Sequence, residues 1–444
     1  MTSAATVLAP RPTVSRPDFH DVPATRYRAI DAYRALAMVG VAVGHWLAAD
    51  VRVGTNGGLT GGNALDQLRT LHLLTWVFQV MPLFFCIGGF SNAASLTAHW
   101  RKGRTSSSWV QARLLRLVGP SAILAATWFT ILSLTGVTGI GSNVGLAAAG
   151  VAAIPLWFLA NYVVDTAVAP ITLRLFREHR RPFLGILALT FLSLESMRFF
   201  HVRFLPQGNI VIGWMCFQVL GFAWRDGLLP STQRLVQLGA AGFALAVSLV
   251  ALGPWPVAMV SVPGAQFANT WPPSLALLAF GFGYCAIAIA AAPRLGLILE
   301  RSKRTWAVVV GANAVTMTSY LWHFSAMIVA AGIAMPLHLL PTSTVGSGDW
   351  WLHKLGLMTL ATVVLVAILS TLGRKERAAL LDGREQPRRV PANHVAVTAT
   401  LAIALGTGFE LWTSAGGNRG LMLSGTGLVL AVRIALSKRP TTPV

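Results

Sequence analysis

Arg34 and His45 stand eleven residues apart in the first apolar stretch of the chain, RYRAIDAYRALAMVGVAVGHWLAADV from Arg26. On a helix that interval is about 1100°, three turns plus roughly 20°, so both side chains share one face about 16 Å apart along the axis. With Arg34 at a membrane boundary, His45 falls near the middle of a hydrocarbon core about 30 Å thick. An ionisable ring at that depth is costly and points to function. A neutral imidazole there is a competent general base. His323 lies in a later apolar stretch between Tyr320, Trp322 and Phe324; a lone histidine so placed is as readily a hydrogen-bonded structural residue. Two histidines invite a metal, but no third ligand follows at H-x-x-x-H or E-x-x-H spacing, and Cys86, Cys216 and Cys285 are scattered. No metal site is expected.

Two further patterns carry chemistry. Arg113 and Arg116, three residues apart, share a helix face in the basic segment HWRKGRTSSSWVQARLLRLVGP. The spacing suits anionic lipid headgroups and a phosphate clamp equally well. Gly88 and Gly89 follow Pro82 in MPLFFCIGGFSNAAS, where small residues give either a packing seam or a backbone lining a substrate cavity. Asp165, Glu195 and Glu410 fall within apolar stretches, and Asp165 or Glu195 could meet Arg198 or Arg34. Trp157, in PLWFLANYVVDTAVAP, suits an interfacial ring.

These residues need elements to hold them, and the composition says which. Of 444 residues, 54% are hydrophobic and 11% charged, which excludes an ordinary soluble domain. Apolar runs recur at roughly 29–51, 73–98, 117–136, 146–172, 183–200, 210–224, 235–253, 274–292, 306–330, 351–372, 394–411 and 421–436. The fold class is therefore all-α: a polytopic membrane protein with about ten core transmembrane helices and two C-terminal ones. All but six of the 35 Lys and Arg fall in alternate connections, the six being Arg52, Arg69, Arg198, Arg203, Lys354 and Arg419. That asymmetry puts both termini and the basic loops in the cytoplasm. The net charge of +20 is topology, and no nucleic-acid partner is expected.

The expected organisation is a disordered cytoplasmic tail (1–26), a transmembrane core (27–372), a charged cytoplasmic linker (373–393), two further helices (394–436) and a cytoplasmic tail (437–444). Residues 1–26 lack the apolar region of a signal peptide. Residues 52–70 form a Gly- and Asn-rich outer loop, a composition that suits mobility. The uncharged, Pro- and Trp-rich loop 254–273 could cover an outward opening. No Gly/Pro-broken helices stand in corresponding positions of two halves, which weighs against an inverted-repeat transporter. The bias to Arg over Lys, with abundant Ala, Val and Gly, fits a GC-rich bacterial genome.

The chain resembles the acyltransferase-3 family of integral membrane acyltransferases. The resemblance rests on R-A-L-A and a histidine across Arg34–His45, L-F-F-x-x-G-G-F at Leu83–Phe90, R-x-x-R at Arg113–Arg116, L-W-F-L at Leu156–Leu159, P-P-S-L at Pro272–Leu275 and Y-L-W-H at Tyr320–His323. The motifs come in the family's order over residues 26–372. Two departures stand out: Gly88-Gly89 replaces the more usual Ser-Gly, and Pro120 follows Arg116 by four residues rather than three.

The resemblance implies O-acyl transfer, commonly acetyl, from cytoplasmic acyl-coenzyme A to a hydroxyl of a glycan, glycolipid or small molecule in the cell envelope. His45 would be the general base, and Arg113 and Arg116 would hold the donor's phosphates. Arg34 would draw the donor toward His45, and His323 would hydrogen-bond the developing oxyanion or the acceptor. Gly88, Gly89, Trp157 and Tyr320 would contact substrate. Acyl-coenzyme A is a cosubstrate, with no tightly bound cofactor expected, and the partners are the bilayer, the donor and the acceptor. The expected location is the cytoplasmic (inner) membrane. A transporter or flippase of a lipid-linked or acylated molecule is the alternative, followed by a non-catalytic scaffold or sensor.

Overall fold

The computed structural model describes residues 27–374, apart from 55–56, 139–141, 201, 203, 263–264 and 266. The tails, the two C-terminal spans and the linker beyond Arg374 lie outside the described residues. Among the described residues thirteen α-helices and one hairpin follow in order: α1 (Arg28–Ala48), β1 (Ala49–Val53), β2 (Leu59–Asn63), α2 (Thr75–Phe78), α3 (Met81–Arg101), α4 (Ser106–Thr138), α5 (Ser142–Ala153), α6 (Leu156–Glu178), α7 (Arg180–Phe199), α8 (Asn209–Arg225), α9 (Thr232–Leu252), α10 (Leu275–Arg301), α11 (Lys303–Asn313), α12 (Thr316–Ala334) and α13 (Gly348–Thr371). The architecture is all-α, and eight segments among the described residues are long and apolar enough to cross a membrane. α1, which opens on Arg28, Asp31 and Arg34, and α8, with 17 residues, fill the first and sixth expected spans but fall outside that set.

Three expected spans are broken. The second is interrupted at Gln79-Val80, so α3 starts only at Met81 and Pro82 sits in its first turn. There a missing N–H costs nothing, because the first N–H groups of a helix have no partner within it. The fourth divides at Ile154-Pro155 into α5 and α6, and the ninth at Ala314-Val315 into α11 and α12. The break at Ala314-Val315 carries neither glycine nor proline, so the residues did not announce it. The expected outer loop instead begins with an antiparallel hairpin, Ala49 opposite Asn63 and Val53 opposite Leu59. Its glycines lack the apolar alternation by which a strand is recognised.

One apolar core runs through the bundle. Its tightest seam joins α3 to α8. A Cβ at Gly89 would come within 2.0 Å of the Gln218 carbonyl oxygen, and one at Gly221 within 2.0 Å of the Cys86 carbonyl oxygen. Backbones this close are the packing that small residues allow between membrane helices. A buried ion pair within α7, Arg198 to Glu195 at 3.1 Å, anchors the connection before α10. Glu195 also accepts from Trp255 Nε1 at 3.0 Å and from the Leu275 amide at 3.1 Å, while Arg198 donates to the Ala268 carbonyl at 3.0 Å. The bundle thus has a basic end, where α1 begins and α3 meets α4, and an opposite end marked by the hairpin.

Candidate active site

His45 lies in the last turn of α1, toward the hairpin end rather than midway along the helix. The helix starts almost two turns before Arg34, and the chain leaves it at Ala49 for the hairpin. Three contacts fix this corner. Asp50 accepts from Trp350 Nε1 of α13 at 3.0 Å and pairs with Arg52 at 2.9 Å. Lys354, one turn further along α13, donates to the Ala49 carbonyl. One residue beyond His45, Trp46 donates from Nε1 to the His323 carbonyl at 2.9 Å and pins α1 to α12.

His323 is fully buried beside His45. The two rings are parallel within 8°, and His45 Nδ1 lies 3.0 Å from His323 Nε2. The hydrogen-bond network assigns the tautomers. His323 Nδ1 lies 2.6 Å from the Tyr320 carbonyl, which can only accept, so Nδ1 carries the proton. His323 Nε2 is then an acceptor, and His45 Nδ1–H donates to it. The lone pair of His45 is left on Nε2. Tyr320 continues the chain with its hydroxyl, which donates to the Pro155 carbonyl at 2.5 Å, at the break between α5 and α6.

His45 lines a cavity of about 2220 Å³ at the hairpin end. Its walls come from α1, the hairpin, α5, α12 and the 260–272 segment, and include Trp157, Trp271 and Tyr320. The Pro- and Trp-rich connection is laced to α2 here: the Met259 amide donates to Thr75 Oγ1 at 2.8 Å, and Gln79 Nε2 donates to the Met259 carbonyl at 2.5 Å. Thr75, Gln79 and Asp50 line the site without having been singled out in the sequence. Only a polar residue beside an apolar run marked them, and that is a weak signal.

The arginines form a separate cluster at the basic end. Arg34 bonds Asp31 at 3.1 Å and donates to Ser91 Oγ at 3.0 Å. Arg113 donates to Ser95 Oγ at 2.7 Å and lies over the Trp109 ring at 5.5 Å. The two guanidinium groups therefore meet across one turn of α3, with Arg116 exposed on the same helix as Arg113. None of the three lines the His45 cavity. Between the two levels stand rings from three helices: Phe158 packs at 5.1 Å from Phe84, 5.6 Å from Tyr162 and 5.3 Å from Tyr320.

The remaining candidates divide. Trp157 and Tyr320 reach the cavity, whereas Gly88 and Gly89 do not. Gly88 faces the Tyr162 ring and Gly89 the α8 backbone. His323 is outside the lining too, with both ring nitrogens engaged. Its ring stands behind that of His45. Glu195 takes the Arg198 partner that the sequence allowed. Among the described residues no group of three His, Cys, Asp or Glu could hold a metal ion.

A family model described as an acyltransferase domain matches residues 27–373. The chain belongs to the acyltransferase-3 family. It is accordingly a membrane acyltransferase, and the match covers both the histidine pair and the arginine cluster. Comparison with curated proteins and with solved structures returns no match.

Proposed function

We propose that this acyltransferase moves an acyl group, commonly acetyl, from acyl-coenzyme A to a hydroxyl acceptor, with His45 Nε2 as the general base. The observation that carries this reading is the ordered chain from Tyr320 through His323 to His45, which leaves one lone pair on a ring lining a large cavity. Nε2 would take the hydroxyl proton as the acceptor oxygen attacks the thioester carbonyl. The tetrahedral adduct then collapses, the C–S bond breaks, and the imidazolium returns the proton to the departing thiolate. His323 would act as a positioning residue, holding His45 in the reactive tautomer and accepting from Nδ1–H as positive charge develops. A base of this kind contributes on the order of 10²–10⁴ in rate.

Arg113, Arg34 and Arg116 would hold the donor's phosphates at the basic end, because guanidinium groups grip phosphate oxygens in bidentate fashion. The donor's pantetheine arm must then cover about 16 Å to reach His45, given the rise of α1. Phe158, Tyr162 and Tyr320 must part for it. With the basic end in the cytoplasm, as the charge asymmetry favours, donor and acceptor would enter from opposite sides of the inner membrane.

The test is purified enzyme with labelled acetyl-coenzyme A. His45→Ala should abolish turnover but keep donor binding, and Arg113→Ala should weaken donor binding. Acceptor modification unchanged by His45→Ala would overturn the proposal. It would favour transport of an acylated molecule.

A further inference from the structure

The cavity around His45 is lined for hydrocarbon rather than for sugar. Its volume, about 2220 Å³, exceeds the roughly 300–1,000 Å³ of an ordinary small-molecule pocket. Its charged lining groups besides His45 are Asp50, Asp66 and Arg198. Asp50 is committed to Arg52 and Trp350, and Arg198 to Glu195 and the 268–272 backbone. Asp66 is exposed at the mouth. The uncharged polar lining is Asn63, Thr75, Gln79, Gln207, Ser261 and Thr270, and of these Thr75, Gln79 and Thr270 are engaged by the Met259 backbone. A glycan buried here would lose water from many hydroxyls and find few partners left, and each unpaired one is costly.

The deeper walls are apolar stripes at helical spacing. Val144, Ala148 and Val151 share one face of α5, and Met327, Ile328 and Ala331 share one face of α12, the helix that packs against it. Val144 and Val151 line the cavity yet are 56% and 39% exposed. The α5 wall is therefore not sealed by neighbouring helices, and it belongs to a segment apolar enough to cross a membrane. His45 lies at the polar end of this trough, a turn from the hairpin.

We propose that the acceptor is an amphiphilic alcohol. Its hydrocarbon tail lies along the α5 and α12 stripes, its hydroxyl reaches His45 Nε2, and it enters from the leaflet at the hairpin end. This rests on the acyl-transfer reading and narrows its acceptor. The balance is that of a transesterification: the acceptor O–H becomes an ester, the thioester C–S bond breaks, and coenzyme A leaves as its thiol with the proton that His45 carried. A simple membrane lipid and a polyprenyl-linked glycan share the required chemistry.

The test uses membranes from the source strain lacking its own copy and supplied with full-length wild-type, His45→Ala, Val151→Trp or Ala148→Leu protein. Radiolabelled acetyl-coenzyme A is added, and label is counted in the organic-soluble, water-soluble and wall-bound fractions. Base-labile label in the organic fraction is expected, lost in His45→Ala. Val151→Trp should reduce it roughly tenfold or more and Ala148→Leu less, since filling a tail pocket acts on acceptor affinity. Acetyl-coenzyme A binding should stay at the wild-type level, which shows that the variants are folded. Mild acid then distinguishes the sources, releasing label into water from a polyprenyl-linked sugar and leaving it in the organic phase for a simple lipid. His45-dependent label confined to water-soluble or wall-bound material would overturn the proposal and keep the acyl-transfer reading. Label independent of His45 in every fraction would overturn both.

Discussion

The Nδ1 of His45 lies 3.0 Å from the Nε2 of His323, and the second ring is itself anchored at 2.6 Å to the Tyr320 carbonyl. Removing His323 leaves the Nδ1–H of His45 without its acceptor and lets the ring exchange tautomers. His323→Ala is expected to lower kcat on the order of 10²-fold, short of the loss in His45→Ala. The KM for acetyl-coenzyme A should hardly move. His323→Gln, whose side-chain oxygen can accept from Nδ1–H, should recover part of the rate. Steady-state kinetics on the three variants check this, and equal kcat in His323→Ala and wild type would remove His323 from the mechanism.

Arg34 and Arg113 converge on Ser91 and Ser95 of α3. Arg113→Ala should weaken acetyl-coenzyme A binding by roughly tenfold or more, because a charge-assisted contact to phosphate is lost. Arg113→Lys should restore only part of it, since an ammonium cannot make the forked contact. Because both arginines share one turn of α3, the Arg34→Ala/Arg113→Ala double variant should fall short of the sum of the Arg34→Ala and Arg113→Ala effects. Calorimetric titration of detergent-purified protein measures all four.

The α3–α8 seam predicts a stability defect without a catalytic signature. At Gly89 the obstacle to a Cβ is the Gln218 carbonyl, which is backbone and cannot swing aside. Gly89→Ala should cost at least the roughly 1–3 kcal/mol of an overpacked core, seen as a lower unfolding temperature in detergent. Gly88→Ala meets the far end of the Tyr162 side chain and should cost less. The folded fraction of either variant should keep its KM. A raised acceptor KM in Gly89→Ala at normal stability would instead revive a substrate role for the pair.

Glu195 and Arg198 are 4% and 8% exposed at their side chains. Removing one member strands the other charge, at about 3–5 kcal/mol. Glu195→Ala also frees Trp255 and the Leu275 amide, so the 255–274 connection should loosen. Faster hydrogen exchange across that connection, with lower thermal stability, is the expected result. Unchanged exchange there would show that the ion pair does not hold it.

How much of this was legible in the residues follows from the range of each signal. Arg34 and His45 could be put on one helix face because their interval is local and a helix has a fixed period. His323 could not be joined to His45: the pair is 278 positions apart, and a single histidine has no spacing of its own. Gly88 and Gly89 were visible as small residues, but whether they faced a ligand or a helix depended on α8. His45 was placed midway through the bilayer by taking Arg34 as the boundary. The helix runs Arg28–Ala48, so His45 stands in its last turn beside the hairpin. The hairpin itself was hidden, since its glycines carry no period.

The ring packing of Phe84, Phe158, Tyr162 and Tyr320 has a bearing on the cell as well as on the reaction. An enzyme open to both faces of an energised membrane would be a leak, and protons would follow any continuous file of water past the histidines. Phe158 touches each of the other three rings, and a plug of this kind would interrupt such a file in the idle enzyme.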